Sequence, residues 1–253
     1  MAYQVQETHT NSDDKPFRQQ YKLFHAAFAQ FCYTGAQVAI ASFFINYAVA
    51  TRPNTSDSAA AQLFAGAQAA FTVGRFLGVF IMKHVRPRLV FLGFITGAII
   101  FMIPAIALPE SMPKANSPVV MLFIVLFFES ICFPTIVGLG MRGLGRHTKR
   151  GSGWIVAGVS GGACVPPLTG VANDAHGNGI GMVVPLMFFL AAWSYAFCVN
   201  FVPNYVKVVD SFSDTDIGVR SADIDPEAKT AELNQPKKSI EEQAAVAHVP
   251  EKL

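Results

Sequence analysis

The chain has 253 residues, 52% of them hydrophobic and only 14% charged, with a formal net charge of +2. A soluble globular domain carries about one quarter charged residues, so the composition excludes an ordinary soluble fold. The net charge averages over separate regions of both signs and gives no basis for nucleic-acid binding.

The first 20 residues are polar and are expected to be disordered. They contain no apolar h-region of a cleavable signal peptide. Six apolar stretches follow, over residues 23–50, 59–82, 89–108, 118–141, 152–172 and 179–203. Each is long enough to cross a hydrocarbon core of about 30 Å. Arg75 and Glu129 are the only Asp, Glu, Lys or Arg inside them. All four cysteines (Cys32, Cys132, Cys164, Cys198) fall within the spans, which suits small packing residues and not a disulfide framework.

Span one carries Gln30, Tyr33, Thr34 and Gln37. At about 3.6 residues per turn these share one face. Four hydrogen-bonding side chains do not belong against lipid, so they face protein or a wet cavity. Asn46 and Tyr47 come near the far end, off that face on an ideal helix. Amides and phenols at this depth suit a ligand with many hydroxyls, such as a sugar; interhelical hydrogen bonding is the competing role.

Span two repeats small residues at Gly66, Ala70, Gly74 and Gly78. Span five does the same at Gly153, Ala157 and Gly161. Small residues four apart let a neighbouring helix approach closely. Such stripes serve static packing or a sliding contact. Span three is almost wholly apolar.

Span four carries FFESICFPT, with Glu129 and Pro134. Pro134 has no amide hydrogen, so the Ser130 carbonyl loses its helical partner. Glu129 lies about eleven residues into the span, near the bilayer centre at about 1.5 Å per residue. An ionisable group at that depth marks a site by default: it is protonated, paired or hydrated, and it can hold a hydroxyl ligand or a proton. A structural partner, with Arg75 as one option, is the alternative. In span five, Pro166 and Pro167 free the carbonyls of Gly162 and Ala163 by the same logic and predict a break. Asp174 and His176 follow in a loop (NDAHGNG); they read as solvated residues rather than a metal pair.

Loop charge is asymmetric. Lys15, Arg18, Lys22, Lys83, Arg86, Arg88, Arg142, Arg146, Lys149 and Arg150 lie on one side, against Arg52 and Lys114 on the other. The positive-inside rule places the first set, and both termini, in the cytosol. Residues 204–253 form a polar tail with ten acidic and six basic residues, expected to be disordered. No H-E-x-x-H, P-loop or G-x-S-x-G signature is present. An enzyme is therefore not expected, nor a cofactor or metal.

The phrases FAQFCYTGAQVAIASFFINY (28–47), GRFLG (74–78), FESICFPTIVGLGMRGLGRHTKRGSG (128–153) and GGACVPPLTGVAND (161–174) resemble the second half of the L-fucose:proton symporter family. Within it they look most like the fungal sugar permeases of the major facilitator superfamily. The resemblance covers about residues 15–205. It implies an all-α integral membrane fold, with six transmembrane helices over 21–203 forming the C-terminal half of a twelve-helix transporter. The implied function is symport of a monosaccharide (fucose, glucose or galactose class) with a proton, by alternating access. The implied partners are the sugar, protons, the bilayer, and an N-terminal six-helix half or a second copy. Carried over by position, Gln30, Tyr33, Gln37, Asn46 and Glu129 would bind substrate. Spans one, two, four and five would line the cavity, with three and six outside. The family's proton-coupling carboxylates lie in the other half. Residues 1–20 then read as the end of the loop joining the halves, and Met1 as an internal start. The implied location is multi-pass in the plasma membrane; an internal membrane fits the residues equally. A non-transporting fragment, a regulator of a full-length relative, and a half-size carrier acting as a homodimer are the alternative readings.

Overall fold

The computed structural model describes residues 17–52, 54–111, 117–144 and 147–211. Both stretches expected to be disordered fall mainly outside the described residues, as do Lys15, Lys114 and Arg146 of the loop-charge argument.

Within the described residues the chain runs as ten α-helices. They are α1 Tyr21–Thr51, α2 Asp57–Met82, α3 Pro87–Ser111, α4 Ser117–Glu129, α5 Cys132–Met141, α6 Thr148–Ala157, α7 Gly161–His176, α8 Asn178–Gly181, α9 Val183–Phe201 and α10 Pro203–Ser211. Six helical segments are long and apolar enough to cross a membrane: Tyr21–Thr51, Asp57–Met82, Pro87–Leu108, Ser117–Met141, Thr148–His176 and Gly179–Phe201. They match the six expected spans. The chain is a multi-pass, all-helical membrane protein.

Helices are forced here by solvent: without water, each backbone N–H and C=O must find a partner within its own segment. The ends are set by local chemistry. Ser56 caps α2, its hydroxyl accepting from the Ala59 amide at 3.2 Å. Gly177 ends α7 with φ 86°, a conformation open to glycine.

The spans differ in enclosure. Within the apolar windows, 56% of residues are buried in both α1 and the α4–α5 span, against 17% in α2 and 28% in α6–α7. So α1 and α4–α5 form the centre. They hold Tyr33, Ile40, Phe44, Leu122 and Ile131, all fully enclosed. Meanwhile α2 and α7 present open apolar faces that include Phe76, Phe80, Leu168 and Val171.

The glycine contacts only partly follow the expected stripes. In α2, a Cβ on Gly74 would lie 2.6 Å from the Phe127 carbonyl oxygen, and Gly78 is pressed on Ile131. Here the stripe is used as read. In α6–α7, Gly153 has nothing within 4 Å of a Cβ, and Ala157 is exposed. The contact with α1 falls on Gly161, the last member of the stripe, and on Gly158 outside it, which face the carbonyls of Phe31 and Ala27. A short 3-10 turn at Gly158–Ser160 joins α6 to α7 and rotates the register. That turn also corrects the expected break at Pro166–Pro167: α7 runs continuously through both prolines. The irregularity lies where backbone meets backbone, and not where an amide is missing.

A second correction concerns the end of the domain. The tail was expected to begin at 204, yet Pro203–Ser211 is a helix. Likewise residues Phe17–Gln19 form a 3-10 turn inside the expected disordered start. Helix α10 is held by four elements. Lys22 donates to the Asn204 carbonyl at 2.5 Å. His25 Nδ1 meets the Tyr205 hydroxyl at 3.2 Å, and burial pushes that phenol up to about 12. Arg86 and Arg88 reach Asp210 at 3.3 and 3.0 Å, and Arg142 donates to the Val209 carbonyl at 2.8 Å. Basic residues from the start of α1 and from the α2–α3 and α5–α6 connections therefore gather at one end of the bundle. A composition-based reading misses this, because the partners are far apart in sequence. Asp210→Asn is expected to destabilise the chain by about 1 kcal/mol, as the pairs are partly exposed. Limited proteolysis in detergent should cut near α10 sooner in the variant; unchanged cleavage would count against the clamp.

Candidate functional site

The sequence marks one place in advance, the apolar span interrupted by Glu129 and Pro134. The structure breaks the span there. Helix α4 ends at Glu129, Ser130 and Ile131 form a turn, and α5 starts at Cys132.

A break in the middle of a span exposes backbone acceptors, and each left unpaired costs free energy. Two side chains from other helices take them. The Tyr33 hydroxyl, from α1, donates to the Glu129 carbonyl at 2.6 Å. The Arg75 Nε, from α2, donates to the Ser130 carbonyl at 3.2 Å. This is the carbonyl that Pro134 leaves without a helical partner. A third carbonyl, of Ile131, takes the Thr135 hydroxyl at 2.7 Å. Gly74 brings α2 close enough for its neighbour Arg75 to arrive, and the guanidinium stacks 5.0 Å from the Phe71 ring.

The Glu129 side chain is enclosed at 1% exposure, and its Oε1 has no hydrogen-bond partner. The Ser130 hydroxyl beside it is also buried and unpaired. Arg75 therefore binds the backbone beside Glu129 and forms no ion pair with its carboxylate.

The other sequence-predicted residues separate. Gln30 is fully enclosed; its Nε2 donates to the Thr34 hydroxyl at 3.2 Å and its Oε1 is unpaired. Its Cβ lies against Gly158, so it faces the α6–α7 turn rather than the α4–α5 break. Gln37 is half-buried and Asn46 is exposed. Of the five candidate substrate contacts, then, the structure joins Tyr33 to Glu129, packs Gln30 elsewhere, and leaves surface only on Gln37 and Asn46. Sequence reasoning missed the role of Arg75, although Pro134 named the orphan carbonyl and Arg75 was the one Lys or Arg within a span.

Two further positions carry no site. Asp174 and His176 are exposed, and the described residues hold no cluster of three metal-ligating side chains. A cavity of about 500 Å³ opens between Phe17 and α6, bordered by Lys149, Arg150 and Trp154. It lies at the basic end, away from the break.

No family model matches the chain. Sequence relatives do. The chain is 35% identical over 172 residues to an L-fucose-proton symporter of Escherichia coli, covering 68% of this chain and 38% of that protein. It is 32% identical over 162 residues to a glucose/galactose transporter of Brucella abortus, covering 63% and 38%. Among solved structures, the crystal structure of the E. coli fucose:proton symporter superposes with a TM-score of 0.66 at 29% identity, over 75% of this chain and 47% of that one. The same symporter in its outward conformation, described as a major facilitator superfamily transporter, gives the same TM-score over 46% of its length. The chain thus spans less than half the length of the proteins it matches.

Proposed function

We propose that this chain, a homologue of sugar transporters with the fold of the major facilitator superfamily, acts as the C-terminal six-helix half of a sugar:proton symporter. Its substrate is a monosaccharide of the fucose, glucose or galactose class. The relatives' transporter names support this reading, together with a half-length match in both sequence and fold. Transport then proceeds by rocking of two halves about a midplane site, and a first half or a second copy supplies the other wall. The open faces of α2 and α6–α7 are the surfaces left for it and for lipid. The gathering of basic connections around α10 fits a cytosolic placement of that end and of both termini, in the plasma membrane.

Within the half, Gln37 and Asn46 are the sugar contacts that keep surface. Gln37→Ala is expected to raise the KM for sugar about tenfold, the loss of roughly one hydrogen bond, with the maximal rate little changed. An unaltered KM removes Gln37 from the site.

The decisive experiment expresses the chain in cells lacking monosaccharide uptake, alone and together with the first six helices of a relative. Proton-coupled uptake only in the pair supports the half-transporter. Uptake by the chain alone, in two-fold assemblies, replaces it with the homodimer. Uptake in neither case, from folded protein at the membrane, defeats both and leaves a regulator or an inactive fragment.

A further inference from the structure

We propose that Arg75 alternates between two partners at the α4–α5 break, the Ser130 carbonyl and the ionised Glu129 carboxylate, and so makes this half sensitive to a proton on Glu129. The argument starts from what each group lacks. The Glu129 Oε1 is buried without a partner. An ionised carboxylate left so is strongly disfavoured, and relieving it requires a cation and donors. Arg75 is the only Lys or Arg within the six apolar stretches, and its Nε already sits on the next residue's carbonyl, 3.2 Å away. That carbonyl belongs to the residue next to Glu129, and the exchange is a re-aiming of the outer torsions of a long side chain. The Tyr33 hydroxyl holds the Glu129 carbonyl at 2.6 Å, one residue from the carbonyl that Arg75 holds.

Among the described residues, Arg75 is the cation that hydrogen-bonds at the break. At the break, Tyr33 from α1 holds the Glu129 carbonyl, Arg75 from α2 holds the Ser130 carbonyl, and Cys132 opens α5. On the far side of α4, α3 presents Phe94 and Phe101 to Phe128, and α9 presents Phe189 to Tyr33. Tyr33 is committed to the Glu129 carbonyl. When the proton leaves Glu129 for water, Arg75 moves to the carboxylate and the Ser130 carbonyl is released. The turn between α4 and α5 then loses one of its two external supports. Proton occupancy is thereby converted into the stiffness of span four, with Arg75 as the positioning residue.

The proposal deepens the transport reading but is tested without sugar. Full-length chain in lipid nanodiscs is followed by infrared spectroscopy while the pH is stepped from acidic to mildly alkaline. The expected result is a carboxylic C=O band that titrates, vanishes in Glu129→Gln, and has its midpoint moved by about one pH unit or more in Arg75→Gln. Arg75→Lys keeps the charge and should fall between the native chain and Arg75→Gln; it serves alone should the glutamine variant not fold. A band that survives Glu129→Gln overturns the proposal, and so does a midpoint that neither Arg75 variant moves. A titrating band, with no sugar uptake by the chain either alone or paired with the first six helices of a relative, leaves the switch standing and defeats the transport reading. A static carboxyl in an active transporter does the reverse.

Discussion

Gly161→Ala is expected to cost about 3 kcal/mol or more. A Cβ at that position runs into the Phe31 carbonyl of α1, and the atoms it meets are backbone. Backbone in the middle of a 31-residue helix does not move aside as a flexible side chain does. Overpacking of this kind costs about 1–3 kcal/mol even where side chains can adjust. Gly153→Ala is the matched control. It lies in the same apparent stripe with open space around it, and alanine in a helix gains up to about 1 kcal/mol over glycine. Thermal unfolding in detergent should show a markedly lower Tm for Gly161→Ala and an equal or higher one for Gly153→Ala. Equal Tm values for the two variants would remove the α1–α7 contact from the account.

Tyr33→Phe is expected to act at the break in span four. It deletes the hydroxyl that serves the Glu129 carbonyl and leaves a buried acceptor unpaired. Leaving such an acceptor orphaned costs about 1–3 kcal/mol. The ring itself stays, so its packing on Phe189 is kept and cavity formation does not confuse the result. The variant should lower stability and also change uptake in the assembled transporter, because the carbonyl lies at the break in span four. Tyr47→Phe is a useful comparison, since the Tyr47 hydroxyl serves the Ala105 carbonyl in an unbroken helix. It should lower stability while leaving uptake nearly intact. Equal effects of both variants on uptake would show that the break has no special role.

The candidate site was legible in part. Pro134 announced the orphan carbonyl of Ser130, and Glu129 announced a costly group beside it. Neither said who would answer. Tyr33, read as a sugar contact, holds backbone 96 positions away. Arg75 was weighed as a partner for the Glu129 side chain and instead holds a carbonyl 55 positions away. The face of span one divided because a helix has several neighbours: Gln30 turns to the Gly158 side and Tyr33 to the α4–α5 side. Helix α10 was read as tail because its own nine residues are too few and too polar to order themselves. Order comes from Lys22, Arg86, Arg88 and Arg142, none of them near in sequence.

The amino-acid sequence by itself determined the six spans, their order, and the side on which basic residues collect. These follow from runs of side chains whose transfer from water is favourable, a property each segment carries alone. The tertiary structure decided which glycines meet a neighbour, where span five tightens, which donors answer the freed carbonyls, and that Glu129 is enclosed. Those depend on how each helix is rotated about its axis and which helix lies beside it. That rotation is set by close contact between surfaces distant in the chain, which no local run of residues encodes.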